Sequence, residues 1–276
     1  MLTLRQRLLR STTFVVGATL LGLILLMALA GPWAYPQGPW SMVGAPMTWP
    51  GADLARPLGT DALGRDILAG LLHGARVSLT IGAMATVAAL VVGIAVGAVA
   101  GYWGGWVDDV LMRITDAVQT VPPFLLAIVV VLIVKPSVTS IVCAIALISW
   151  PSVARLVRAE FMRLRDSDFV AACRLMGMGH ARIMASQMLP NAIAPIVVSA
   201  SIMVASAILI ESGLAFLGLG DPNVISWGTM VGMGRADFRA GWYLVGLPGL
   251  AIMVCVLALN LLGDGLNDAL NTRLDP

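Results

Sequence analysis

Charge is scarce in this chain. Only 12% of the residues are charged, against 59% hydrophobic, and Lys135 is the sole lysine. Soluble domains carry about a quarter charged residues. A chain this poor in charge has little to solubilise it in water, so a lipid environment is implied. The net charge of +2 gives no basis for nucleic-acid binding. Three cysteines without a C-x-x-C spacing support neither a zinc site nor a redox pair. His73 and His180 fall in different segments and form no metal pair. H-E-x-x-H and G-x-S-x-G are absent, and no apolar run holds a carboxylate pair, which argues against an intramembrane enzyme. G-x-x-x-x-G-K-S/T is absent too, so this chain carries no phosphate-cradling loop for ATP. "GMGHAR" (177–182) lacks the final glycine and the preceding strand of a dinucleotide site.

What is present is long uncharged sequence. No charge occurs from Ser11 to Ala52, Val77 to Ala100, Ile183 to Ile210 or Ala240 to Gly263. Each run holds the roughly 20 residues that cross a hydrocarbon core. Two shorter runs, Ala117–Val134 and Ser137–Ala154, sit at the lower limit. The pattern predicts an all-α integral membrane protein with six spans, near 13–31, 77–101, 111–134, 138–157, 191–213 and 241–262. The first run follows Arg5, Arg7 and Arg10 and ends in "ALAG", as a secretory signal does. Its apolar stretch Phe14–Ala30 is longer than the usual signal core, so an uncleaved anchor is expected.

Positive residues favour the cytoplasmic side. With both termini there, Arg5, Arg7, Arg10, Arg113, Arg155, Arg158, Arg163, Arg165, Arg174, Arg182 and Arg273 are inside, and only Arg56, Arg65, Arg76, Lys135, Arg235 and Arg239 are outside. The expected division is a cytoplasmic tail 1–12, a first span 13–31, an outer loop 32–76, a transmembrane core 77–263 and a cytoplasmic tail 264–276. In the outer loop, Thr60 or Asp61 is suited to cap a short amphipathic helix carrying Leu63, Ile67, Leu71 and Leu72 on one face. Trp227 and Trp242 fit the lipid–water interface. Gly93, Gly97 and Gly101, continued by Gly105, form a small-residue ridge suited to helix packing within the chain. Asp108 and Asp109 are expected to cap the helix they begin, and Asp116 to pair with Arg113 at i,i+3. Glu211, at the outer end of the fifth span, is read as a gate or a fixed structural bond.

One segment does not belong to lipid. Between the fourth and fifth spans, Arg155–Gln187 is basic and helical in pattern, and Gly177 and Gly179 interrupt it. Pro190 opens the next span. From the residues alone, its charges are equally suited to solvation, to anionic lipid and to a protein partner.

"DFVAACRLMGMGHARIMASQMLPN" (168–191) resembles the cytoplasmic signature of bacterial ABC importer permeases, E-A-A, three residues, G, nine residues, I, one residue, L-P. Ala171, Ala172, Cys173, Gly177, Leu189 and Pro190 fall on its positions, with Ala171 for the glutamate, Cys173 for an alanine and Gln187 for the isoleucine. The likeness continues through "PLGTDALGRDILAGLLHGARVSL" (57–79), "AGYWGGWVDDVLMRITDAVQTVPPFLLAI" (100–128), "SWPSVARLVRAE" (149–160), "ESGLAFLGLGDP" (211–222), "SWGTM" (226–230) and "LNLLGDGLNDALNTRLDP" (259–276). These stretches are similar to the second, C-type permease subunit of dipeptide, oligopeptide and nickel importers.

That resemblance implies a type I ABC importer permease in the bacterial cytoplasmic membrane. Its partners would be a second homologous permease, two cytoplasmic ATPases that hold ATP and Mg, and an extracytoplasmic binding protein. This chain would bind no cofactor. It implies coupling to the ATPases through about 168–188, with Ala171, Ala172, Arg174, Leu175, Met176, Gly177, Met178, Gly179, His180, Arg182, Leu189 and Pro190 as the segment's residues. Leu175, Met176, Met178 and Ile183 are expected as apolar knobs and Arg174, His180 and Arg182 as polar flanks. With Ala171 in place of the glutamate, coupling falls to shape, those knobs and the arginines. Peptides are the expected cargo. Nickel or another small solute on the same machinery is the alternative, and an ion-coupled secondary transporter a second one.

Overall fold

The computed structural model describes residues 4–270, Leu4 and Arg5 by their backbone alone. Eleven α-helices follow one another in the described residues. The first, α1 (Leu4–Arg10), leads into α2 (Thr12–Ala34), which Ser11 caps. The 1–12 stretch is therefore helical from Leu4 rather than a plain tail. The longest helix is α3 (Ile67–Trp103), followed by α4 (Gly105–Thr120) and α5 (Pro123–Val134). Next come α6 (Val138–Arg165), α7 (Asp168–Leu175), α8 (His180–Arg182) and α9 (Leu189–Phe216). The chain closes with α10 (Trp227–Gly234) and α11 (Tyr243–Leu270). No strand is described. Two isolated bridges, Met42 to Arg65 and Thr60 to Asp66, pin the loop before α3.

Five of these helical rods are long and apolar enough to cross a membrane, and α4 with α5 makes a sixth only as a pair bent by 82°. The single span expected at 111–134 is thus two helices. The reason is Pro122-Pro123. A proline restricts the residue before it to extended backbone. Val121 (φ −85°, ψ 132°) and Pro122 (φ −51°, ψ 127°) are both extended.

Two further expectations change. The amphipathic stretch near residue 67 is no separate helix but the start of α3. Its cap is Asp66, which accepts from the Leu68 N–H at 2.8 Å. Thr60 instead donates to the Ala45 carbonyl, and Asp61 accepts from the Leu63 and Arg65 N–H groups. At the far end, α11 runs on to Leu270, so 264–270 is helix rather than tail. Arg273 and positions 271–276 lie outside the described residues.

Small residues decide how the rods meet. In lipid, apolar burial alone does not drive helices together, so close approach and dispersion matter more. The ridge Gly93, Gly97, Gly101 lies on α6, with α3 and α6 running parallel. A Cβ on Gly93 would stand 2.5 Å from Val153 Cβ, on Gly97 2.4 Å from the Ala154 carbonyl oxygen, and on Gly101 2.6 Å from that of Arg158. Gly105, the ridge's extension, faces open space. On the other side, Gly17 of α2 approaches Leu262, and Gly265 of α11 approaches Phe14.

All the spans run between two ends. The capped end gathers the loop 35–66, the start of α3, α10 and the start of α11. Trp227 is fully buried there, and its Nε1–H donates to the Leu71 carbonyl at 2.9 Å. The interface position expected for Trp227 is therefore wrong, because the indole fills the core between α10 and α3. Trp242 is 55% exposed. Tyr243 packs at a tilt against Trp49, its hydroxyl donating to the carbonyls of Thr48 and Thr60, which fastens the loop to α11. The basic end gathers the ends of α3 and α6, the segment 166–188 and the start of α9.

Candidate functional site

The basic end is built on α6. Its last turns carry Arg155, Arg158, Arg163 and Arg165, and Phe161 and Leu164 face inward. Arg158 forms a bidentate pair with Asp108 of α4, both contacts at 2.5 Å. Asp108 is therefore an ion-pair partner rather than the helix cap expected of it. Gly104 occupies the cap position of α4 and offers no side chain. Asp116 likewise pairs with Arg155 of α6 at 2.7 Å instead of Arg113. Spacing along α4 favoured the local pair, but the packing of α4 on α6 supplies a nearer cation. These two bridges hold α4 to α6.

After α6, Ser167 starts α7 in extended backbone (φ −82°, ψ 151°). Asp168 in the first turn and Arg174 in the last match the helix dipole. Val170 and Cys173 face the core with Tyr102, Val157 and Phe161. Ala171, Ala172 and Arg174 face outward. The helix then closes in a Schellman turn. The Met178 N–H donates to the Cys173 carbonyl at 3.1 Å and the Gly177 N–H to the Arg174 carbonyl at 3.0 Å. Such a turn needs a left-handed residue one place past the cap. Gly177 supplies it at φ +76°. Gly179 has ordinary backbone (φ −65°) and only precedes α8.

The turn leaves Leu175 89% and Met176 71% exposed, and the two form its tip. Gly177, Gly179, His180, Arg182 and Pro190 are exposed as well. Met178 and Leu189 are half-buried and pack inward. Ile183 is fully buried, so it is a core residue and not one of the knobs. His180 Nδ1 shares a 2.7 Å hydrogen bond with the Tyr102 hydroxyl.

From α8 the chain passes into α9 through a π-helical turn, Ile183–Met188. Two causes are visible. Pro190 lacks an N–H and its ring clashes with the carbonyl four residues back in a regular α-helix. The wider turn avoids this, and the Leu189 N–H donates to Met184, five residues back. The same turn brings Ile183 and Met188, five apart, both into the core. The span expected from 191 thus continues a rod that begins at His180.

Glu211 sits at the opposite end. It is 1% exposed, and its Oε1 accepts from Ser226 Oγ at 2.6 Å. Ser226 also caps α10, so this carboxyl ties α9 to the start of α10. No basic side chain pairs with it among the described residues.

Two features of the site escaped the sequence. Tyr102 gave no signal there beyond its place next to Trp103. The Arg158–Asp108 pair spans 50 positions, and only a charge on an otherwise inward helix face hinted at it.

Comparison with known proteins gives a consistent set. Residues 93–276 match the family described as binding-protein-dependent transport system inner membrane component. Residues 3–57 match the N-terminal transmembrane domain of oligopeptide transport permease C. The chain is 42% identical over 264 residues to the di/tripeptide transport system permease protein DppC of Pseudomonas aeruginosa, covering 94% of this chain and 87% of that one. It is 36% identical to the dipeptide transport system permease protein DppC of Haemophilus influenzae, covering 94% and 90%. Among solved structures, a chain of the inward-facing MetNI methionine ABC transporter shares the fold. The TM-score is 0.58 at 17% identity, covering 71% of this chain and 93% of that one.

Proposed function

The chain belongs to the inner membrane components of binding-protein-dependent transport systems, and we propose that it is the C-type permease of an ATP-driven peptide importer. With a second permease it forms half of the translocation pathway. Two ATPase subunits, which hold ATP and Mg, sit beneath, and a binding protein delivers cargo to the capped end. Family membership sets aside the secondary-transporter reading. Peptide is favoured over nickel because the relatives described above are named for di- and tripeptides.

The basic end faces the cytoplasm in this reading, with both termini on that side. The arginines of α6 and α7 support it. Residues 168–188 form the coupling element. The observation that carries the docking reading is the exposed tip, Leu175 and Met176, held out on a Schellman turn. Two large apolar side chains on a polar surface call for a cover. A groove on an ATPase provides one, with Arg174 and Arg182 at its edge. Ala171 offers no carboxylate, so recognition rests on shape and apolar contact. Glu211 serves as a structural tie between α9 and α10 rather than as a gate. Its bond to the cap of α10 supports that role.

A tagged copy of this chain, expressed with its operon partners, should carry two ATPase subunits through purification. Leu175→Glu with Met176→Glu should release them while the permease stays in the membrane, and uptake of a labelled dipeptide should stop. Uptake driven by an ion gradient in membranes holding this chain without any ATPase would sink the reading.

A further inference from the structure

Both arms of the Gly177 turn meet one side chain. Tyr102 is the penultimate residue of α3 and is 4% exposed. From the returning arm, His180 Nδ1 hydrogen-bonds its hydroxyl at 2.7 Å. From the outgoing arm, the Arg174 guanidinium lies over its ring, 5.3 Å from the centroid. Trp103 closes the group edge-on, 5.2 Å from the Tyr102 ring and 6.4 Å from that of His180. Met178 and Cys173 pack below the turn in the same cluster as Tyr102, and a Cβ on Gly177 or Gly179 would meet nothing within 4 Å.

The two rods leaving this cluster differ in regularity. The returning arm enters α9 through the π-helical turn Ile183–Met188, where the α-helical ladder is interrupted. By contrast, α3 runs 37 residues without proline or π turn. Its flank is held along α6 by the glycine ridge. Its far end is fixed to α10, where Trp227 donates from Nε1 to the Leu71 carbonyl and from its backbone N–H to Ser78 Oγ.

We propose that Tyr102 is a positioning residue for coupling: it latches both arms of the tip to α3, so that α3, and not α9 alone, carries displacement of the tip to the capped end. A hydrogen bond and a cation–π contact are both directional, so together they fix the tip's orientation as well as its place. The proposal rests on the ATPase-docking reading above and adds the route by which docking is felt across the membrane.

The test uses the full complex in lipid nanodiscs, with ATP hydrolysis measured with and without the cognate binding protein. Tyr102→Phe removes only the hydroxyl, and His180→Phe puts an aromatic ring that cannot accept or donate this bond in place of the imidazole. Each should lower the stimulation by the binding protein about three- to tenfold, the factor that one hydrogen bond supplies. The double variant should fall no further than either single one, because the two act through the same bond. Recovery of assembled complex and its thermal midpoint show that each variant is folded. Stimulation at the parent level in both single variants, or losses that multiply in the double, overturns the latch. Gly177→Val tests the docking reading separately and should shed the ATPases. If it sheds them while Tyr102→Phe behaves as the parent, the latch alone falls. If it keeps them with full stimulation, the docking reading falls and takes the latch with it.

Discussion

The two ends of the helix bundle are finished in opposite ways. At the capped end, polar groups are turned inward and paired: Trp227 to Leu71, Ser226 to Glu211, Tyr243 to Thr48 and Thr60. At the basic end, the ion pairs are only partly buried, and Leu175 and Met176 point away from the protein. The first end is fastened internally by those bonds, with Leu54, Met42, Trp49 and Trp242 exposed around them. The second holds Leu175 and Met176 out on the Gly177 turn, where the docking reading places a partner.

Breaking the capped end should cost the most. Trp227→Ala removes a fully buried indole and its hydrogen bond, and should lower stability by about 3–5 kcal/mol, read as a fall in the thermal midpoint of the purified chain in detergent. The basic end should yield less. Asp108→Asn weakens the pairing of Arg158, whose side chain is 33% exposed. Solvent screens the loss, so about 1–2 kcal/mol is expected in the same assay. At the tip, Leu175→Ala should change the stability of the isolated chain by less than about 0.5 kcal/mol. In the assembled complex it should weaken ATPase retention, seen as subunits lost on dilution. A large stability loss from Leu175→Ala would erase the distinction between the ends.

Much of this was legible in the sequence because lipid leaves few options. Uncharged runs of sufficient length must be helices, and Gly93, Gly97 and Gly101 at fourfold spacing must share a face. Gly177 was legible through its spacing to Pro190. Ile183 was misread because an apolar residue in a docking segment suits a knob and a core position equally well, and only the packing of the returning arm against Tyr102, Val157 and Phe161 puts it inside. Asp108 was misread because a carboxylate near a helix start suits a cap equally well. The choice went to Arg158, on a helix that the intervening sequence does not identify as its neighbour.

By itself the sequence determined which stretches are apolar and where the chain reverses at Gly177, since each follows from solvent preference or a single residue's backbone, whereas the break at Pro122-Pro123 inside one uncharged run came only with the structure. Tertiary structure alone decided that Asp108 pairs with Arg158, that Trp227 is core, and that Tyr102 gathers both arms of the tip. Those outcomes depend on which helices become neighbours, and in lipid that choice is made by close packing over a whole interface rather than by any residue's own preference.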